Sequence, residues 1–143
     1  MDSKHMQIGE VAARTELSLR TIRHYEETGL VIPSARSQGG FRLYTETDVA
    51  RLMVIRRMKP LGFTLDEMRD LLDATDRLDA NDRLDAAGGL GDDDAREVLL
   101  ERVREYAAAA DRKTEELRVQ LARAEEFAAT LHARLERARP THL

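Results

Sequence analysis

The stretch that decides the fold is LSLRTIRHYEETGLVIPSARSQGGFRLY, residues 17–44. Ser18 offers a hydroxyl that can cap a helix, and Ile22 and Tyr25 follow at the three-residue spacing of one helical face. Gly29 is the residue type that commonly stops such a helix. The stretch therefore opens with one short amphipathic helix that leaves several polar side chains facing away from the core.

The chain on the N-terminal side of this stretch predicts a second short helix. Ile8, Val11 and Ala12 stand at spacings of three and four residues, which is typical of a helix that buries one face. Thr15 to Leu17 then form a tight turn. Two short helices joined by so few residues are a candidate helix-turn-helix.

The second half of the stretch predicts a small β-hairpin. Pro33 prevents continuation of a helix, and Gly39-Gly40 permits a turn with positive φ. Residues 41–44, FRLY, alternate as a short strand. A two-stranded ribbon directly after a helix-turn-helix is a wing, which places Arg42 and Tyr44 near DNA phosphates or a minor groove. The alternative is an ordinary hairpin with Arg42 as a surface charge.

Two further helices follow the hairpin. Thr45 with Asp48 forms a capping box, and the helix that it starts must stop by about Lys59 because Pro60 cannot continue it. Residues 64–67, TLDE, form a second capping box that opens another helix.

Composition narrows the possible classes of protein. The 143 residues include 42% hydrophobic and 35% charged side chains and no cysteine, so disulfides and thiolate metal sites are excluded. No run is long enough to span a membrane, which predicts a soluble cytoplasmic protein. Residues 1–60 carry ten basic and seven acidic side chains, whereas residues 61–97 carry four basic and twelve acidic ones. The basic surplus thus accompanies the hairpin. Residues 1–5 are set aside as an expression remnant.

The last third of the chain predicts a long coiled-coil helix, residues 94–139, after an acidic, glycine-containing linker at residues 76–93. The linker's acidic residues lack the spacing of a calcium loop, so no metal site is predicted. Apolar residues then alternate at spacings of three and four over more than five heptads. The predicted dimer seam includes Leu100, Val103, Ala107, Ala110, Leu117, Leu121, Ala124, Ala128, Leu131 and Leu135.

Five successive motifs resemble the signatures of MerR-family transcription regulators: residues 8–12 (IGEVA), 21–26 (TIRHYE), 29–30 (GL), 40–44 (GFRLY) and 61–67 (LGFTLDE). The resemblance implies a mainly α fold, in which a winged helix-turn-helix domain at residues 7–75 precedes the long coiled-coil helix of an antiparallel homodimer. It also implies binding of an inverted-repeat operator in double-stranded promoter DNA, and regulation by distortion of that DNA. The predicted DNA contacts are Ser18, Arg20, Thr21, Arg23, His24, Tyr25, Arg42, Tyr44, Arg56 and Arg57.

The sequence leaves the effector open. Without cysteine, a thiol-bound metal is excluded, and no cofactor is predicted. A small apolar or cationic molecule, a protein partner or no effector at all are the remaining options, and RNA polymerase at the promoter is an expected partner. The residues that would line a small-molecule pocket are Met68, Leu72, Tyr106 and Phe127. No catalytic constellation is present, so the chain is predicted not to be an enzyme. The competing hypothesis is an architectural DNA-binding protein with little sequence preference.

Overall fold

A computed structural model describes residues 5–33, 35–89 and 91–140. Helix α1 (Ile8–Thr15) follows a short strand β1 (Met6–Gln7), and helix α2 (Leu19–Glu27) precedes the strands β2 (Ala35–Arg36) and β3 (Arg42–Tyr44). Three longer helical elements complete the chain: α3 (Glu46–Met58), which runs into a 3₁₀ turn (Lys59–Leu61), α4 (Leu65–Ala86) and α5 (Asp93–Arg137). The mainly helical, winged helix-turn-helix architecture predicted from the sequence is confirmed.

The wing is a three-stranded antiparallel sheet in the order β1-β3-β2. Sequence analysis predicted two strands and missed β1, in which Met6 pairs with Tyr44. On the other side of β3, Arg36 pairs with Arg42. The turn between them is closed by Ser37 N–H donating to the Phe41 carbonyl at 2.8 Å, and Gly40 adopts the predicted positive φ of 82°.

The helix starts are built as the sequence predicts. The Thr45 hydroxyl accepts from the Asp48 backbone N–H while the Asp48 carboxylate accepts from the Thr45 N–H, and Thr64 and Glu67 make the same reciprocal pair. Each box satisfies backbone donors that the first helical turn leaves without partners. These caps set the chain direction on entry to α3 and α4.

One core holds the helix-turn-helix, the wing and the two following helices together. Its buried members come from every one of these elements, so α2 and the wing cannot move independently of each other without exposing apolar surface to water. The buried residues are Met6, Val11, Ile22, Tyr25, Leu30, Val31, Tyr44, Val49, Leu52, Ile55, Met58, Met68 and Leu72.

Two arginines fasten the loop after α2. Arg51 of α3 donates to the Leu30 carbonyl at 3.1 Å and pairs with Asp76 of α4 at 2.5 Å. Arg69 of α4 donates to the Thr28 carbonyl at 2.6 Å. Guanidinium donors thus satisfy carbonyls that follow the end of α2, and they hold the start of the wing loop against α3 and α4.

The predicted linker at residues 76–93 is wrong over residues 76–86, because α4 continues as a helix to Ala86. Contacts with the first turns of α5 support this extension: the Asn81 side-chain oxygen accepts from Asp92 N–H at 2.9 Å, and Arg96 pairs with Asp82 at 3.1 Å. The Asp92 carboxylate in turn accepts from the N–H groups of Asp94 and Ala95, at 3.0 and 3.1 Å, and so caps α5.

The chain divides into two compact units, residues 1–103 and residues 104–143. The first contains the core, the wing and the α4–α5 connection. The second consists, within the described residues, of the remainder of α5, which ends at Arg137 and not at the predicted residue 139. None of the helices in residues 5–33, 35–89 and 91–140 is long and apolar enough to cross a membrane.

Candidate nucleic-acid interface

The outward face of α2 carries the predicted recognition side chains. Arg20, Arg23 and His24 are exposed, while Ile22 and Tyr25 on the opposite face are buried. Among the described residues, neither Arg20 nor Arg23 is held in an ion pair, so both guanidinium groups are available to an anionic partner. Guanidinium groups can bind guanine edges or phosphates in a fork geometry.

Ser18 and Thr21 bond to each other. The Ser18 hydroxyl accepts from the Thr21 backbone N–H at 3.0 Å and donates to the Thr21 side-chain oxygen at 2.8 Å. Ser18 is therefore the N-cap of α2, as the sequence predicted. The Ser18 hydroxyl both accepts and donates in fixing the start of the recognition helix, whereas the Thr21 hydroxyl only accepts in this pair and keeps its own hydrogen to donate.

Tyr25 and Tyr44 are not available for the DNA contacts predicted for them. Their exposed fractions are 2% and 0%, and both belong to the core. Tyr25 follows Ile22 by three residues and shares its buried face, and Tyr44 is fixed by pairing with Met6 on β1. Both rings act by anchoring the helix and the wing to the core, and neither ring faces solvent.

The carboxylate of Glu26 joins α2 to the wing, a role that sequence analysis missed. One of its oxygens accepts from Nε of Arg42, and the other accepts from the Tyr44 hydroxyl at 2.9 Å. Burial and this hydrogen bond raise the pKa of Tyr44 well above the ordinary value for a phenol. The only sequence signal was that Glu26 stands four residues after Ile22, near the buried side of α2.

A small cleft of about 120 Å³ lies between α2, the start of α1 and the wing. Arg23 of α2 and Arg42 of β3 both line it, together with Gly40 and Phe41 at the wing turn. Arg36, which pairs across the sheet with Arg42, is also exposed and bonds the Gly40 carbonyl at 3.2 Å. Sequence analysis did not include Arg36 among the predicted contacts, although the two-stranded ribbon could have suggested it.

The two arginines near the end of α3 differ in their contacts. Arg56 pairs with Glu16 at 2.7 Å, which joins α3 to the turn of the helix-turn-helix. Arg57 is exposed and has no ion pair among the described residues. Of these two predicted phosphate contacts, Arg57 is the one whose charge is not already shared with a carboxylate.

Comparison with known proteins agrees with this geometry. The profile described as MerR HTH family regulatory protein matches residues 6–75, and the profile described as MerR, DNA binding matches residues 49–134, more than half of the chain. The chain belongs to the MerR family. Both matching profiles describe DNA-binding regulatory proteins.

Individual relatives extend this result. The chain is 47% identical over 66 residues to the HTH-type transcriptional regulator ZntR of Escherichia coli K12, a match that covers 46% of this chain and 47% of ZntR. The chain therefore spans about half the length of that curated relative. The crystal structure of PbrR691 from Ralstonia metallidurans CH34, in complex with lead(II), is 30% identical with a TM-score of 0.50, covering 96% of this chain and 91% of PbrR691.

A structure in complex with DNA shares the fold. HiNmlR, a MerR family regulator lacking the sensor domain and bound to promoter DNA, superposes with a TM-score of 0.63 at 21% identity. The likeness covers 93% of this chain and 85% of HiNmlR.

The effector residues predicted from the sequence fall in two different units of this MerR-family protein. Met68 and Leu72 are core residues with exposed fractions of 1% and 3%, whereas Tyr106 and Phe127 belong to the second unit. Met68 does line a small cavity of about 220 Å³ together with Tyr25, Lys59 and Phe63. Burial of Leu72 in the apolar core explains its hydrophobicity without a ligand.

A larger groove, of about 430 Å³, lies within the first unit between the end of α4 and the first turns of α5. Leu84, Val98 and Leu99 supply its apolar wall, and Arg102 stands at the α5 side. Arg102 pairs with Asp70 and Asp73 at 3.4 Å, so its charge is compensated by α4. Sequence analysis missed this groove because it assigned the end of α4 to a linker.

The predicted seam residues of the second unit form an exposed apolar stripe on α5. Leu117, Leu121, Leu131 and Leu135 have exposed fractions between 48% and 66%, which is high for leucine. Leucines repeated at heptad spacing along a charged helix are typical of a coiled-coil seam that a second helix covers. Within the first unit, Leu100 and Val103 are half-buried.

Proposed function

We propose that this MerR-family protein is a homodimer that binds an inverted-repeat operator in promoter DNA and regulates transcription by distorting that DNA. The observation that carries the proposal is the pairing of an exposed basic recognition helix with an arginine-bearing wing in one rigid core. One DNA-binding domain of this kind is small, and two such domains joined by a coiled coil would bind two half-sites related by the symmetry of the dimer.

The division of labour along the chain follows from this proposal. Residues 7–75 bind DNA, and residues 94–139 contain the dimerisation helix, which pairs with its partner in the antiparallel direction. The connection between them is shorter than predicted because α4 extends to Ala86. RNA polymerase at the promoter is the expected protein partner, and the bacterial cytoplasm is the expected location.

The effector is proposed to act without a thiolate-bound metal. The sequence contains no cysteine, so a site built on thiolate ligands is excluded by composition. The apolar groove between α4 and α5 supports a small apolar molecule better than it supports a metal ion, because its wall offers mainly hydrocarbon.

The proposal is tested by selecting genomic fragments with the purified full chain and titrating the selected fragments at two salt concentrations. We expect an inverted repeat within a long promoter spacer, bound by two copies of the chain. Binding with a steep salt dependence but no enriched sequence would replace the proposal with the architectural alternative.

A further inference from the structure

Glu26 has a place in the fold that its charge alone does not explain. It is an acidic residue on the recognition helix of a DNA-binding protein, where a negative charge opposes phosphate. Its side chain is only 13% exposed, and its two oxygens accept from two different wing residues, Arg42 and Tyr44. A carboxylate in this position weakens the electrostatic attraction of the helix to DNA, so a role for Glu26 has to be sought in its contacts with the wing.

We propose that Glu26 is a positioning residue for DNA binding, which holds Arg42 of the wing in the orientation that meets the DNA backbone. The inference rests on the proposed function, because it takes Arg42 as a phosphate contact. Its geometric basis is that Glu26 uses only Nε of Arg42, and the two terminal nitrogens make no hydrogen bond among the described residues.

The guanidinium group explains how one arginine serves both partners. It is planar and carries five N–H donors in a fixed fork, so one edge can bond a carboxylate while the terminal nitrogens bond a phosphate. The Arg42 side chain remains 39% exposed while it is paired, which leaves surface for a second partner. A free arginine would lose much of its rotamer freedom on binding DNA, whereas a held arginine has already lost it.

Tyr44 holds the carboxylate of Glu26 on the side that faces the core. Its ring is fully buried in the core and its hydroxyl donates to the second oxygen of Glu26. The hydrogen bond from this core residue therefore orients the carboxylate, whose other oxygen accepts from Arg42. Arg42, which Glu26 holds, also lines the cleft between α2 and the wing, together with Arg23 of the recognition helix.

The chain offers a matched control for the charge of Glu26. Glu27 is the next residue of α2, is exposed, and has no hydrogen bond or ion pair among the described residues. Replacing either glutamate by methionine removes one negative charge from the same helix and keeps a similar side-chain length. Only the E26M substitution removes the two acceptors for Arg42 and Tyr44.

The experiment measures operator affinity by fluorescence anisotropy for the full-length wild type, E26M, E27M and E26Q, with thermal unfolding recorded for each free protein. We expect E26M to bind about 5-fold to 10-fold more weakly, the loss of one preorganised side chain, and E27M to bind as well as wild type or better. E26Q should recover most of the affinity, because its amide can accept from Arg42 and donate to the Tyr44 oxygen.

Coupling to Arg42 separates positioning from a general effect on stability. In an R42A background, E26M should change affinity by less than about 2-fold, because the group that it positions is absent. E26M that matches or exceeds the wild type in affinity, or that weakens the R42A variant as much as the wild type, would overturn the inference.

A second variant leaves Glu26 untouched and serves if E26M does not fold. R42K keeps the positive charge, but a single ammonium cannot bond Glu26 and also present a fork to phosphate. We expect R42K to bind nearly as weakly as R42A, and wild-type affinity in R42K would refute the positioning role. A wild-type chain that selects no operator would overturn the proposed function and this inference together, whereas normal wild-type selection with an unaffected E26M overturns the inference alone.

Discussion

Substituting Leu121 by aspartate tests the dimer seam directly. Leu121 is 60% exposed in the single chain, so a partner helix has that share of its surface left to cover. Full burial of a leucine side chain contributes roughly 1.5–3 kcal/mol, and the remaining share therefore contributes about 1–2 kcal/mol. Each dimer contains the substitution twice, which brings the expected loss to about 2–4 kcal/mol before the cost of placing a charge in the seam.

That loss corresponds to a dimer dissociation constant raised about 30-fold to 700-fold. Sedimentation equilibrium over a range of protein concentrations measures it. Val119 provides the matched control, because it lies on the same helix, is 43% exposed and stands off the heptad seam. V119D introduces the same charge and should change the dissociation constant by less than about 3-fold. An L121D chain that dimerises as tightly as wild type would refute the assignment of this face as the seam.

Three further perturbations test the wing, a helix cap and a buried phenol. Arg42→Ala should weaken operator binding by about 1–3 kcal/mol and reduce the slope of log affinity against log salt concentration by about one. Anisotropy titrations at several salt concentrations measure both quantities. Unchanged affinity in a folded variant would show that Arg42 does not contact DNA. Thr64→Ala removes the capping box of α4 and should lower the free energy of unfolding, measured by chemical denaturation, by about 1 kcal/mol. Thr47 is exposed within α3, so the control Thr47→Ala should lower it by less than half of that. Equal losses in the two variants would contradict the role of the cap. Burial and Glu26 raise the pKa of Tyr44, so over a range of alkaline pH the folded state keeps the phenol proton that the unfolded state has lost. The contribution of this group to stability is therefore complete below the ordinary phenol pKa. It is lost as the pH rises toward the pKa of the folded state. In an ultraviolet titration, Tyr44→Phe should remove a late-titrating phenolate that is present in the wild type. The same titration curve for both proteins would count against the buried hydrogen bond.

Much of the local structure could be predicted from the sequence because it depends on neighbours within one helical turn. The Ser18 cap, both capping boxes and the Gly40 turn are patterns of two to four consecutive positions, and the structure confirms each of them. The exposed leucine stripe on α5 could also be predicted, because heptad spacing by itself places those side chains on one face.

The end of α4 could not be predicted from such patterns. Residues 76–86 have a poor apolar stripe and precede a run of glycines, which favours a linker when only local preference is considered. In the folded chain, Asn81 and Asp82 bond to residues at the start of α5, and these contacts support helical structure in a stretch of weak pattern. Tertiary context thus outweighs local propensity there.

The sequence alone determined the class of protein, which has a basic recognition helix, a glycine-containing wing and a helix with heptad spacing. Each of these elements could be recognised because its apolar and polar residues alternate at the period of a helix or a strand. Only the tertiary structure decided which of the candidate side chains face outward. The side chains of Tyr25 and Tyr44 face the core, and Glu26 accepts from Arg42 and Tyr44 of the wing, which lie sixteen and eighteen residues further along the chain. Motif matching assigns residue types to positions, but burial and the partner of each polar atom depend on elements that are distant in sequence and meet only when the core closes.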